Sequence, residues 1–130
     1  MDKKQNITIL LNGEKKNATF YLSKAPPCLI KFFIDDALMA EVDGDDFFSC
    51  LCKLRIIFKD ITFLCKGAKK NVYPTRMARQ MAYGIKGYEF ELGRHATRHD
   101  LVGIFDYEDR DLVTPDEQRE YFQEWLHSFN

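Results

Sequence analysis

Long apolar segments are absent from this chain of 130 residues, and their absence excludes several classes of protein. The one apolar run near the N-terminus, residues 7–11, is interrupted by Thr8 and is too short for the core of a signal peptide. No segment approaches the roughly 18 consecutive apolar residues that a membrane-spanning helix needs. We therefore expect a cytoplasmic protein without a membrane segment, whose four cysteines stay reduced.

The sequence also lacks the spacings typical of metal sites and of several catalytic or cofactor sites. Cys50 and Cys52 lie in a predicted helix, where they would point to nearly opposite sides, and no C-x-x-C pair occurs. There is no glycine-rich phosphate loop and no serine in a nucleophile elbow. We therefore predict no enzyme activity, no cofactor and no bound metal, and we expect the cysteines to act as small buried residues.

Two histidines leave one catalytic or metal-binding alternative open. His95 and His99 stand four apart in GRHATRHD, residues 93–100, and this spacing would place both side chains on one face of a helix. There they could bind a metal or, with Arg94 and Arg98, act as an acid/base pair. The polar surroundings favour an exposed basic loop instead, so we expect the protein to be inert toward phosphodiesters.

What the chain does contain is typical of one folded domain. Hydrophobic residues make up 45% and aromatic residues 14% of the chain, and this supply is enough for a well-filled core at this length. No repeat, low-complexity tract or Gly/Ser linker divides the sequence. We therefore predict a single domain over residues 1–130.

The first half of the chain has the patterns of β-strands. Apolar residues alternate over residues 7–11, Asn12-Gly13 is a strong hairpin signal, and residues 18–22 supply the partner strand. Such hairpins predict an antiparallel or mixed sheet with helices on one face. Further strands are predicted over residues 28–34, 37–42, 61–65, 88–92 and 101–105.

Three segments have the periodicity or the end signals of helices. Apolar residues recur at three- and four-residue steps over residues 47–58. Thr114, Pro115 and Glu117 combine an N-cap hydroxyl, a proline in the first turn and the acid of a capping box. A third helix is predicted over residues 75–83. Strands and helices mix without strict alternation, so we predict an α+β fold with about three helices.

Charge is segregated along the chain although its net value is only −1. Residues 31–46 hold one basic and six acidic side chains, residues 53–79 hold eight basic and one acidic, and residues 106–124 hold two basic and eight acidic. Such blocks create a patterned field that orients a macromolecular partner. The alternative is that opposite blocks pack together and cancel in three dimensions.

The acidic run DYEDRD, residues 106–111, is the first candidate for a partner-binding surface. It places a tyrosine among four acids, a mixture suited to engaging Arg and Lys side chains of a basic protein. The acids that precede the first predicted helix are the second candidate. The predicted partner-binding residues are Asp106, Tyr107, Glu108, Asp109 and Asp111, then Asp43, Asp45 and Asp46.

The basic stretch over residues 66–79 supports an alternative function. It interleaves Tyr73 with five basic side chains, as single-stranded nucleic-acid sites do. A small RNA-associated domain is therefore the alternative, although the near-neutral charge of the chain argues against it. A solvent-exposed loop with no ligand is the simpler interpretation of this stretch. Its basic side chains are Lys66, Lys69, Lys70, Arg76 and Arg79.

The C-terminal half contains three motifs in order: KGAKKNVYPTRMARQMAYGIKGYEFELG (66–93), LVGIFD (101–106) and EQREYFQEWL (117–126). Together they resemble small bacterial immunity proteins encoded beside contact-dependent growth-inhibition toxins, the CdiI type. The resemblance implies a cytoplasmic, non-catalytic protein that binds the cognate C-terminal toxin domain of a CdiA-type effector, frequently a nuclease. It implies no direct nucleic-acid or membrane partner, and the first 45 residues add no motif to it.

Overall fold

The computed structural model of the chain describes residues 2–129 and contains two antiparallel sheets in that range. The strands are β1 (Lys3–Leu11), β2 (Glu14–Leu22), β3 (Cys28–Ile34), β4 (Ala37–Gly44), β5 (Ile61–Phe63), β6 (Val72–Tyr73), β7 (Lys86–Glu89) and β8 (Leu101–Gly103). The helices are α1 (Phe47–Ile57), α2 (Arg76–Ala82) and α3 (Pro115–His127). The large sheet has the order β4-β3-β2-β1-β5 and the small sheet the order β6-β7-β8. The predicted single α+β domain with about three helices is confirmed.

The β1–β2 hairpin sets the register of the large sheet. Asn12 and Gly13 have φ of 54° and 79°, the left-handed conformation that a tight two-residue turn requires. This turn pairs the strands along their whole length, as far as Lys3 opposite Leu22. β1 therefore begins earlier than the predicted residues 7–11, because its polar first half pairs with the apolar end of β2.

One face of the large sheet carries the core and is covered by α1. Phe20, Phe32 and Phe63 meet at its centre with ring centroids 5.3 to 6.0 Å apart. Leu51 and Leu54 of α1 are fully buried against this face. Edge-to-face and tilted contacts of this kind stabilise a core beyond the area that they bury.

The small sheet is joined to α3 by an aromatic layer. The Phe90 ring lies 5.3 Å from Phe122 and 4.3 Å from Trp125, centroid to centroid, and Tyr73 stacks on Phe122 at 4.7 Å. The apolar stripe that marks α3 in the sequence is therefore used to hold the second sheet.

Each helix begins at a side-chain cap. Asp46 accepts a hydrogen bond from Ser49 N–H, Thr75 from Ala78 N–H, and Thr114 from Glu117 N–H. The capping box of α3 is complete, as predicted.

No helix among residues 2–129 combines the length and the apolarity that a membrane span requires.

Candidate functional site

Residues 106–111, here called the acidic loop, run beside the segment that follows β5. Two backbone hydrogen bonds fix the ends of the loop. Asp106 O accepts from Lys66 N–H at 2.8 Å, and Asp111 O accepts from Lys70 N–H at 2.8 Å. The loop therefore has a defined conformation although it contains no helix and no long strand.

Glu108 anchors the acidic loop from its inner side. Its side chain is 11% exposed and lies 2.9 Å from Lys66 Nζ and 3.1 Å from Lys69 Nζ, while Glu89 lies 2.6 Å from Lys69 Nζ. Burial opposes ionisation of Glu108, but hydrogen bonds from Lys66, from Arg110 N–H and from Lys69 outweigh it and lower its pKa to about 2. Glu108 is therefore a structural carboxylate that faces the protein.

The other members of the acidic loop face solvent. Tyr107 is 48% exposed, and its hydroxyl donates to Asp109 Oδ2 at 3.3 Å. Lys15 Nζ lies 5.2 Å from the centre of the Tyr107 ring, and its interaction with Tyr107 raises the pKa of Lys15. Asp106, Asp109 and Asp111 are exposed. The structure thus brings three carboxylates and one tyrosine of the predicted set together on the surface.

The second predicted acidic set divides between the interior and the surface. Asp46 is 3% exposed, because it caps α1 and its Oδ2 lies 2.7 Å from Arg79 Nη1. Asp43 is exposed and lies 3.6 Å from Lys53 Nζ, and Asp45 is exposed beside it in sequence. Asp46 therefore stabilises the fold, and two carboxylates of this set remain accessible to a partner.

The basic stretch over residues 66–79 is not a solvent-exposed loop, so that prediction is wrong. The stretch forms a short 3₁₀ turn, β6 and the first half of α2. Lys66 and Lys69 contact Glu108, and Arg79 pairs with the cap residue of α1. Opposite charge blocks therefore pack together in part, because burying these lysine and arginine side chains requires carboxylate partners.

An interior polar network behind the acidic loop was not predicted. Gln118 is fully buried, and its Oε1 accepts from Arg55 Nη1 at 2.5 Å. Its Nε2 lies 2.8, 2.9 and 3.1 Å from the carbonyl oxygens of Gly67, Lys69 and Val72, so its two N–H groups serve three acceptors through one shared hydrogen bond. This network joins α3 to α1 and to the segment that supports the acidic loop.

A cleft of about 700 Å³ lies between β5, the end of α1 and the segment that leads into α3. It borders the acidic loop, because Leu112, which lines the cleft, directly follows Asp111. Arg55 of α1 and Lys59, two residues beyond the end of α1, lie on one wall, whereas Asp116 and Glu117 of α3 lie on the other. The apolar lining includes Ile56, Ile61, Phe63 and Leu112.

His95 and His99 do not share a helix face. The His95 ring stacks on Phe129 at 4.2 Å, and His99 lies in a short 3₁₀ turn. A hydrogen bond from Arg94 lowers the pKa of Asp100. Most of residues 93–100 are exposed, as expected for the predicted polar loop. Within residues 2–129, no cluster of three or more His, Cys, Asp or Glu side chains is arranged to hold a metal ion.

The cysteines occupy the interior, as predicted. Cys28, Cys50 and Cys65 are buried, and Cys52 is partly buried. Burial raises the pKa of both Cys50 and Cys65 to about 12. Both groups are therefore neutral thiols at physiological pH, and the thiolate that a reactive cysteine requires is not formed there.

No protein-family model matches this chain, and no curated protein is significantly similar to it in sequence. The residues and their geometry point to the exposed part of the acidic loop and the adjoining cleft as the candidate site.

Proposed function

We propose that this chain is a cytoplasmic immunity protein that binds and neutralises the C-terminal toxin domain of a contact-dependent growth-inhibition effector. The toxin domain is a nuclease, and its neutralisation protects the cell that makes both proteins. Binding alone accomplishes this task, so the chain needs no catalytic group and no cofactor. The motifs that resemble such proteins supply the small sheet, α3 and the first residue of the acidic loop.

The rigid, exposed acidic loop is the observation that supports this proposal most directly. Its backbone bonds and the anchored Glu108 hold it in one conformation before any partner arrives. A preorganised loop loses little conformational entropy on binding, so more of the interaction energy appears as affinity. Its outward carboxylates match the basic surface with which a nuclease holds phosphates. A loop bound there keeps the nucleic acid away.

Neutralisation of a toxin requires nanomolar affinity, which corresponds to about 12 kcal/mol. Exposed charges such as Asp109 and Asp111 mainly increase the association rate, because they are screened by water and salt. A few desolvated side chains supply most of the energy, and tyrosine is frequent among them. We therefore assign the steering of the encounter to the carboxylates and the anchoring role to Tyr107.

The test is co-expression with the C-terminal domain of the adjacent effector gene, with cell survival and complex affinity as readouts. Survival and a complex in the nanomolar range are expected. Asp109→Asn with Asp111→Asn should slow association about tenfold and flatten its salt dependence. The control is Asp35→Asn with Asp36→Asn in the β3–β4 turn, which removes the same charge together with the exposed ion pair between Asp35 and Lys16, a contact of little energy. Asp36 and Asp111 have similar positive φ, 65° and 56°, so the backbone tolerates asparagine equally well at both.

Two outcomes would contradict this assignment. Absence of a complex between the wild-type chain and the effector domain would refute the proposed function. Equal effects of the two double variants would refute the acidic loop as the binding surface. The RNA-binding alternative is not proposed, because three of its five cations are held in internal ion pairs.

A further inference from the structure

One edge of β5 has no neighbouring strand among the described residues, and backbone N–H and C=O groups on that edge point into the cleft. β5 is an edge strand of the large sheet within residues 2–129 and pairs with β1 on its other side. Leu64 N–H donates to Thr8 O at 2.9 Å. Because the backbone groups of successive residues in a strand alternate sides, Thr62 also faces β1. Ile61 and Phe63 therefore turn their N–H and C=O groups toward the cleft.

Two of these groups lack an internal partner. Ile61 N–H donates to Phe58 O at 3.1 Å, and Phe63 O accepts from Cys65 N–H at 2.9 Å. Within the described part of the chain, Phe63 N–H has no acceptor and Ile61 O has no donor. Both groups face the cleft, so an extended segment laid along β5 reaches them. Unpaired backbone groups at the edge of a sheet are the groups to which an added strand binds.

The chain itself covers the continuation of this edge. Cys65 forms an antiparallel bridge with Tyr107 of the acidic loop. The chain then leaves the line of β5, because Leu112 pairs with Lys69. The acidic loop therefore covers the edge at Cys65, and the cleft lies beside the preceding residues of β5, where no strand of the described chain pairs with this edge.

The walls of the cleft define the chemistry of a segment that would fill it. Ile56, at 56% exposure, and Leu112 offer an apolar site for one side chain. Asp116 and Glu117 lie on the α3 wall, where Asp116 also pairs with Arg119 at 2.5 Å, whereas Lys59 follows the end of α1 on the other wall. The two signs of charge are thus separated across the cleft, so a basic side chain is favoured on the α3 side.

We propose that the cleft beside β5 binds an extended segment of the toxin domain, which adds to the large sheet as a strand. The segment carries an apolar side chain that contacts Ile56 and Leu112, and a basic side chain near Asp116. Its backbone accepts from Phe63 N–H and donates to Ile61 O. This inference rests on the proposed function and specifies how the partner is held.

β4, the other edge of the large sheet, is less suited to accept a strand. The β3–β4 pairing has a bulge between Phe32 and Phe33, and Glu41 and Asp43 project from the exposed strand. Bulges and charged side chains are features that discourage pairing at a sheet edge.

Two neighbouring isoleucines provide a matched pair of variants. Ile56 and Ile57 are 56% and 58% exposed in the last turn of α1, but Ile56 lines the cleft and Ile57 does not. Ile56→Arg should raise the Kd of the complex with the effector domain about 30-fold, since it puts a large cation where an apolar side chain binds. Ile57→Arg should change the Kd by less than about threefold, since exposed positions outside an interface contribute little.

Amide hydrogen exchange of the wild-type complex tests the backbone bonds directly. Exchange at Phe63 N–H should slow at least about tenfold on binding, because the amide gains an acceptor. Slowed exchange together with the loss of affinity in Ile56→Arg supports the proposal. Unchanged exchange at Phe63 in a complex that forms would overturn strand addition and leave the proposed function intact, as would equal affinities of the two arginine variants. Absence of any complex would overturn both.

Discussion

Replacing Gln118 by leucine tests how α3 and the acidic loop are held on the large sheet. Gln118 Oε1 accepts from Arg55 Nη1, and Nε2 donates to the carbonyls of Gly67, Lys69 and Val72. Leucine has a similar volume but removes all four hydrogen bonds. Because Gln118 is fully buried, water does not replace them.

The expected loss follows from the groups that are left without a partner. Gly67 O keeps a bond from Arg55 at 3.2 Å, and Lys69 O keeps one from Val72 N–H at 3.1 Å. Val72 O loses its donor, and an unsatisfied buried carbonyl costs about 1–3 kcal/mol. Arg55 loses a charged hydrogen bond worth about 1.5–3 kcal/mol. The apolar leucine side chain recovers about 1 kcal/mol, so Gln118→Leu should lower the free energy of unfolding by about 3 kcal/mol.

Urea unfolding followed by the fluorescence of Trp125, the single tryptophan, measures this change. Gln123→Leu on the exposed side of the same helix is the control, with an expected change below about 0.5 kcal/mol. A loss smaller than about 1 kcal/mol for Gln118→Leu would refute the argument, because the buried carbonyl alone accounts for that much. Equal losses in the two variants would refute it as well.

Two further changes test the support of the acidic loop. Glu108→Gln should lower the free energy of unfolding at pH 7 by about 2 kcal/mol after allowance for solvent screening, since Lys66 and Lys69 hold the carboxylate. The carboxylate stabilises the fold above its ordinary pKa of 4.5, and this stabilisation is lost as pH falls toward about 2. Urea titrations should therefore show that the difference in unfolding free energy between wild type and Glu108→Gln shrinks over this pH range. A constant difference would contradict the assignment. Gly67→Ala should cost about 2 kcal/mol, seen as a lower Tm, because the added Cβ would lie 2.5 Å from Leu51 Cδ2 and 3.0 Å from both Cβ and O of Ile104. An unchanged Tm would show that Leu51 and Ile104 move aside freely.

The elements that the sequence predicts well are those with local signals. Residues 28–34 match β3, and the Asn12-Gly13 turn and the capping box at Thr114 are where the patterns place them. Each signal depends on neighbours only a few residues away, so no knowledge of the tertiary fold is needed. The α+β class follows from the order of these elements.

The division into two sheets is not visible in the sequence, because strand pairing depends on distant partners. The segment predicted as one strand over residues 61–65 shows the difficulty. Its first three residues pair with β1, whereas Cys65 bridges to Tyr107 in the acidic loop. Apolar alternation is the same for both pairings, so the pattern does not reveal where one ends and the other begins.

The interior network had a sequence signal that the predictions did not use. Gln118 stands three, four and seven residues before Tyr121, Phe122 and Trp125, on the apolar stripe of α3. A polar residue on such a stripe is buried with its hydrogen bonds satisfied, so its presence indicates partners on another element. The identity of the partners, Arg55 above all, comes only from the fold.

The two interpretations of the charge blocks, internal cancellation and an outward field, both apply within the acidic loop. Glu108 is neutralised inside by Lys66 and Lys69, whereas Asp109 and Asp111 face solvent. The internal pairs fix the backbone that orients the outward carboxylates, so the cancelled charge contributes to recognition through rigidity. A change at Glu108 therefore acts on binding by loosening the loop, and a change at Asp109 acts by altering its field. Salt distinguishes the two, since only the second effect shrinks as ionic strength rises.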